Sequence, residues 1–168
     1  TVLLESFGYV DHPDFHDTAA VKKMFQRDRC DLNMACAADQ EAMFLQFNYR
    51  RYEVAAIGRW LRDNTPWPIR QVRRLVAAYD AQSQIKEQII IGSMALVGAM
   101  VARSNFSHLD PGDMYSEGCI TLMKTVDKFD CSRGIRFSTY VCGAVLNRFL
   151  TMAKQQDRLQ LPWQDWTP

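Results

Sequence analysis

Apolar residues in this chain recur at steps of three, four and seven, and no useful stretch alternates apolar with polar. The first spacing is the period of an α-helix and the second that of a strand, so this chain must bury its apolar surface as packed helices. Met43, Phe47, Val54, Ile57 and Leu61 predict a helix over about 39–62, with Asp39 as a candidate cap. Asn64-Thr65-Pro66-Trp67-Pro68 ends it, because proline lacks an amide to donate and cannot continue a helix. A second helix is expected over 69–81 and a third over about 84–104. In the third, Ile85, Ile89, Leu96 and Met100 form one stripe, with Ile90, Val97 and Val101 beside it. So broad an apolar face predicts a largely buried helix. A fourth starts at Asp110-Pro111, where the carboxylate can accept from free first-turn amides and proline fits the first helical position. It carries Ile120, Leu122, Met123 and Val126 and ends near Phe129. After the turn Ser132-Arg133-Gly134, a fifth runs to about Gln156, with Ser138 or Thr139 as its cap. Val141, Val145, Phe149 and Met152 would face the core. The expected class is all-α, without internal repeats.

Size and composition fit a soluble globular protein. The chain has 168 residues, 48% hydrophobic and 23% charged, enough to bury a core without staples. No apolar run is expected to span a bilayer, and no signal peptide is seen, so a cytoplasmic protein is expected. The cysteines are odd in number (Cys30, Cys36, Cys119, Cys131 and Cys142) and none forms a C-x-x-C pair, which favours reduced thiols over disulfides or zinc. His12 and His16 have a spacing that binds metal on a helix, but Pro13 and the flanking aspartates favour a loop there. No metal or cofactor is expected. There is no glycine-rich phosphate loop, nucleophile elbow or metal-ligand cluster, and His108 has no evident partner. The chain is therefore not expected to be an enzyme.

Charge is uneven. Net charge is +1, yet from Lys124 to Arg158 seven cations stand against Asp127, Asp130 and Asp157. A phosphate-contacting surface fits this excess. On charge alone, a solvated basic face fits equally well. The fifth helix adds a second observation. Tyr140, Asn147, Thr151, Lys154 and Arg158 follow a three-four spacing on a face separate from the apolar stripe. Rings stack on unpaired bases and cations hold phosphates, so such a face favours separated strands over duplex. The plainer reading is an ordinary amphipathic helix with a tyrosine at its edge.

The segment Asp113-Met114-Tyr115-Ser116-Glu117-Gly118-Cys119-Ile120-Thr121-Leu122-Met123-Lys124-Thr125-Val126-Asp127-Lys128-Phe129-Asp130, followed by Ser132-Arg133-Gly134-Ile135-Arg136-Phe137-Ser138-Thr139-Tyr140, closely resembles region 2 of housekeeping-type bacterial RNA polymerase sigma factors. Residues 86–103 look like the preceding helix of that family. Residues 41–61, with Phe47-Asn48-Tyr49-Arg50-Arg51-Tyr52, look like region 1.2 as found in planctomycete-type members. The resemblance covers roughly 39–158. It implies a poorly defined segment over 1–38, region 1.2-like helices over 39–82 and region 2 over 83–168. The implied fold is the region 2 helical bundle with an N-terminal helical extension.

The same resemblance implies a transcription initiation factor that binds core polymerase and recognises and melts the −10 promoter element. Asp113, Ser116, Glu117, Leu122 and Met123 would contact the coiled coil of the largest polymerase subunit. Asp113 and Glu117 equally suit a helix N-terminus on dipole grounds alone. Arg133, Arg136, Lys154 and Arg158 would hold phosphates, Tyr140 would stack on a flipped base of the non-template strand, and Asn147 would read a base edge. Phe137 would contact DNA or anchor the turn as a core residue. Gly143 and Ala144 stand where the family usually has one or two tryptophans, and Ser93 and Ile135 also depart from its pattern. These departures imply an altered promoter preference. Their alternative is a sigma-like decoy that binds polymerase or an anti-sigma factor without melting DNA. The chain begins at Thr1, as a fragment would, and no −35-reading helix-turn-helix is expected within it. The tail 161–168, with Trp163 and Trp166, suits a linker or packing on the body.

Overall fold

The computed structural model describes residues 8–26 and 37–159. Five α-helices account for most of them: α1 (Thr18–Met24), α2 (Ala37–Asp63), α3 (Ile69–Arg103), α4 (Pro111–Lys128) and α5 (Phe137–Leu159). Two 3-10 turns, Pro13–His16 and Cys131–Arg133, complete the elements, and no strand occurs among the described residues. Cys30, Cys36 and the tail 161–168 fall outside the described residues.

The chain divides into two units. Unit one is Thr1–Gly92 with Asp130–Gly134, and unit two is Ser93–Phe129 with Ile135–Pro168. The boundary falls inside α3. Expected as two helices, this segment is one helix of 35 residues. Gln82-Ser83-Gln84 contains neither proline nor glycine, so nothing in the backbone stops the helix there. The apolar run also continues through Ala78, Ile85 and Ile89, all buried. By length and composition alone α3 could cross a membrane, against expectation, although the core helix of a soluble bundle passes the same test. Only 22% of its most apolar window is buried, so the expectation of a largely buried helix is corrected too.

In unit one, α2 supplies Met43, Phe44, Phe47, Val54, Ile57 and Leu61 to the core. Asp39 lies inside the first turn of α2 and is not its cap. The segment before α1 folds as a 3-10 turn around buried Phe15, whose ring meets Tyr49 edge-on at 5.6 Å. The His12 Nδ1 accepts from the Asp14 amide at 3.3 Å, which commits that nitrogen to the turn. Gln46 Nε2 donates to the Met24 carbonyl at 2.8 Å and ties the end of α1 to α2.

In unit two, Asp110 caps α4 by accepting from the Gly112 and Asp113 amides at 2.8 and 3.0 Å. Met114, Leu122 and Val126 of α4 pack with Val97 of α3 and with Phe137, Val141, Val145 and Phe149 of α5, all essentially buried. α5 starts at Phe137, so Ser138 and Thr139 lie within its first turn and are not caps. The Arg136 carbonyl accepts from the Tyr140 amide at 3.2 Å, which makes Arg136 the flanking residue.

Gly118 is the point of closest approach. A Cβ there would stand 2.5 Å from Val97 Cγ1 and 3.6 Å from atoms of Val145 and Phe149. Valine is stiff at χ1 and cannot swing aside. Gly118→Ala is expected to destabilise the protein by about 1–3 kcal/mol through overpacking, read as a lower urea midpoint. An unchanged midpoint would show that the helices can move apart there at no cost.

Candidate nucleic-acid interface

The turn before α5 is built locally. Asp130 Oδ1 accepts from both the amide and the hydroxyl of Ser132, at 3.0 and 2.6 Å, and Arg133 Nε reaches Oδ2 at 3.3 Å. The Ser132 hydroxyl, then its amide and Arg133, hold the Asp130 carboxyl below its ordinary range, against a smaller opposing effect of burial. A depressed carboxylate contributes stability above the unfolded value, near 3.8, and loses it as pH falls through the lower folded value. Gly134 closes the turn at φ 67°, a left-handed conformation that glycine adopts without a Cβ penalty. The Cys131 thiol is pushed up to about 11 by burial and by the nearby Glu41 and Asp130 carboxylates, so it stays protonated at neutral pH. Arg133 is exposed and belongs, with this turn, to unit one.

In unit two, α5 presents two faces. Phe137, Val141, Val145 and Phe149 face inward. Tyr140, Asn147, Thr151 and Lys154 are exposed. Their separations of seven, four and three keep them within about 60° around the helix axis. Tyr140 is 39% exposed, and its ring leans on Phe129 at 5.5 Å, which limits its freedom. Thr151 Oγ1 donates to the Asn147 carbonyl at 2.8 Å, leaving the Asn147 amide group to the surface. Arg136, just before the helix, is also exposed. The side chain of Arg158 lies outside the described residues.

Of the expected contact residues, Leu122 is corrected, and Phe137 takes the second of its two readings, that of a core residue. Phe137 is 1% exposed and meets Phe129 edge-on at 5.1 Å. Leu122 has no exposed surface. Both are core side chains, because the inward stripes of α4 and α5 fall on them. Asp113, Ser116 and Met123 are exposed on α4, as is Ile120, which sequence reasoning had grouped with its apolar residues. Glu117 is half-buried and accepts from Arg148 Nε at 3.0 Å. Both side chains remain about one-third exposed, so the pair contributes under about 1 kcal/mol. It removes Arg148 from the free cations of α5. Asp110, Asp113, Ser116 and Glu117 line a hollow of about 530 Å³ with Arg148, Met152, Gln155 and Gln156. The α5 side of that hollow was missed because its partners are some thirty residues apart in sequence.

Sequence reasoning also missed the apolar part of the outer α5 face. Leu146 and Leu150 are exposed there. Gly143 lies between Tyr140 and Leu146, and a Cβ added to it would meet nothing within 4 Å. Among the described residues no group of three or more metal-ligating side chains comes together.

Residues 94–159 match the family described as sigma-70 region 2. Among curated proteins, the RNA polymerase sigma-F factor of Bacillus licheniformis is 33% identical over 84 residues, 49% of this chain and 33% of that protein. The RNA polymerase sigma-G factor of Clostridium acetobutylicum is 25% identical over 87 residues, 52% of this chain and 34% of that protein. The RNA polymerase sigma factor RpoD of Neisseria gonorrhoeae is 34% identical over 68 residues, 40% of this chain and 11% of that protein. The chain thus spans about a third or less of the length of each of these three relatives.

Proposed function

We propose that this chain is a bacterial sigma factor, on the strength of the match of residues 94–159 to sigma-70 region 2, and that it acts in transcription initiation by binding core RNA polymerase and holding the −10 promoter element in its melted form. The protein supplies no catalysis of its own in this reading. The observation that carries it is the outer face of α5, where an exposed ring, an amide and a lysine share one narrow sector. Tyr140 stacks on an unpaired base, Asn147 donates to and accepts from a base edge, and Arg136, Lys154 and Arg158 hold phosphates. Each stacked base favours the single strand by about 1–3 kcal/mol, and a paired base offers nothing comparable.

Polymerase would dock on the outer face of α4, through Asp113, Ser116, Ile120 and Met123, with Glu117 at its edge. Leu122 and Phe137 take no part, because both are closed inside unit two. The direct test is binding of the chain to a single-stranded −10 oligonucleotide against its duplex, alone and with core polymerase. A preference for the single strand is expected. Equal affinity for both forms would end this reading.

A second reading is favoured by Gly143 and Ala144, which carry no ring where the family usually has tryptophan. In it the chain holds polymerase, or an anti-sigma factor, and leaves the duplex closed. Gly143→Trp separates the two. Gly143 is exposed and a Cβ there meets nothing within 4 Å, so the substitution starts from open space on the outer face. In complex with polymerase, this variant is expected to increase promoter opening severalfold, read by permanganate footprinting. No gain would mean that the outer face of α5 does not meet the separated strands.

A further inference from the structure

We propose that residues 160–168 fold back along α5 and fill an apolar groove between α3 and α5 in unit two, seating Trp163 and Trp166 in it and placing Asp165 against Arg103. This contact goes beyond the function proposed above and does not rest on it. The groove lies away from the Tyr140 sector of α5. Phe149 is about 180° and Leu146 about 120° around the helix axis from Tyr140.

The groove encloses about 410 Å³. Leu96, Ala99 and Met100 of α3 line it with Leu146 and Phe149 of α5 and with Phe106, from the loop between α3 and α4. Its walls are fixed before anything enters. The Phe106 ring meets Phe149 edge-on at 6.3 Å, and the Ser104 hydroxyl donates to the Val101 carbonyl at 2.6 Å. Leu146 is left 46% exposed. No acid lines the groove. Arg103 does line it, is exposed, and has no ion-pair partner among the described residues. A free cation beside an apolar trough selects an occupant that joins large apolar side chains to a negative charge.

Residues 160–168 have that composition. They carry Leu161, Trp163 and Trp166, with Asp165 as their charge. They lie outside the described residues and follow directly on α5, which ends at Leu159. Pro162 has no amide to donate and disfavours helix at the residue before it, so the sequence does not favour extending α5 through this point. An extended chain advances about 3.1 Å per residue and a helix about 1.5 Å. Run back from Leu159, Trp163 and Trp166 reach about 12 and 22 Å, while Phe149 and Leu146 lie about 15 and 20 Å down α5. The rings therefore come level with the groove. So open a groove would hold a free peptide weakly, but a tethered segment competes at millimolar effective concentration.

Cys142 supplies the probe, because it lines the groove, is half-buried and is a free thiol. The full chain is pulsed with N-ethylmaleimide, and the labelling rate at each cysteine is read by peptide mass spectrometry. In Trp163→Ala/Trp166→Ala, Cys142 is expected to label about fivefold faster or more, as the tethered cover is lost. Cys119, on α4 and outside the groove, should keep its rate. Arg103→Glu should also speed labelling of Cys142, and Arg103→Glu/Asp165→Arg should slow it again. That rescue would tie the two charges together, since a general loosening of the fold could not produce it. Circular dichroism checks that each variant is folded. An unchanged rate at Cys142 in the double tryptophan variant would overturn the proposal. Equal acceleration at Cys142 and Cys119 would overturn it too, since the tryptophans would then support the bundle as a whole. Protection of Cys142 that fades on dilution of the parent chain would put a second copy in the groove in place of the chain's own tail.

Discussion

Tyr140→Ala is expected to weaken binding to a single-stranded −10 oligonucleotide by about 5- to 150-fold while leaving duplex affinity nearly unchanged. The range follows from the roughly 1–3 kcal/mol that one stacked base contributes. The side chain is 39% exposed, and one side of its ring already rests on Phe129, so the free side is presented in a fixed orientation. A fixed ring loses little conformational entropy when a base arrives. Truncation leaves the core intact, because the inward residues of α5 are Phe137, Val141, Val145 and Phe149. Stability should therefore change by well under the effect on binding. Fluorescence anisotropy with a labelled strand gives the affinity and a urea titration gives the stability. Equal losses with single strand and duplex would mean that Tyr140 is not a stacking platform. Tyr140→Phe should retain most of the affinity, since the ring face is the part that works.

Phe137→Ala should behave in the opposite way. Its side chain is 1% exposed, and its ring meets Phe129 edge-on at 5.1 Å. Removing it leaves a cavity beside the Phe129 ring that cannot fully collapse. A cost of about 3–5 kcal/mol is expected, a large part of the stability of a small bundle. The urea midpoint should drop accordingly. Phe137→Leu, which restores most of the volume, should recover much of the loss. Single-strand affinity of the folded Leu variant should match that of the parent chain. If the Leu variant were stable but bound DNA weakly, Phe137 would have to reach the nucleic acid, and its placement in the core would be wrong. The two substitutions lie one turn apart on the same helix. Their contrasting outcomes would separate the outer face of α5 from its inner one.

Much of unit two was legible in advance. Asp110-Pro111 marks the start of α4 because capping is a local event, decided by one carboxylate and the amides two and three residues on. The inward stripe of α5 follows from the period of the helix alone. The turn at 130–134, which belongs to unit one, is equally local, since Ser132 bonds Asp130 and the Gly134 amide bonds the Cys131 carbonyl within five residues. Errors arose where a local pattern had two uses. Leu122 and Met123 adjoin in sequence, yet one is fully buried and the other exposed, because 100° of rotation separates neighbours on a helix. Glu117 could be read as a first-turn acid or a docking group, and its bond to Arg148 came from 31 residues away.

From the residues alone came the helical class, the capped start of α4, the tight turn before α5 and the existence of two unlike faces on α5. These depend on period, capping and glycine geometry, which act over a few residues. Tertiary structure decided that Phe137 and Leu122 face inward, that Gly118 admits no side chain beside Val97, and that Arg148 turns to Glu117. It also decided that 69–103 is one continuous helix. Those outcomes depend on which distant side chains fill the same space, and close packing settles that only once the helices are assembled.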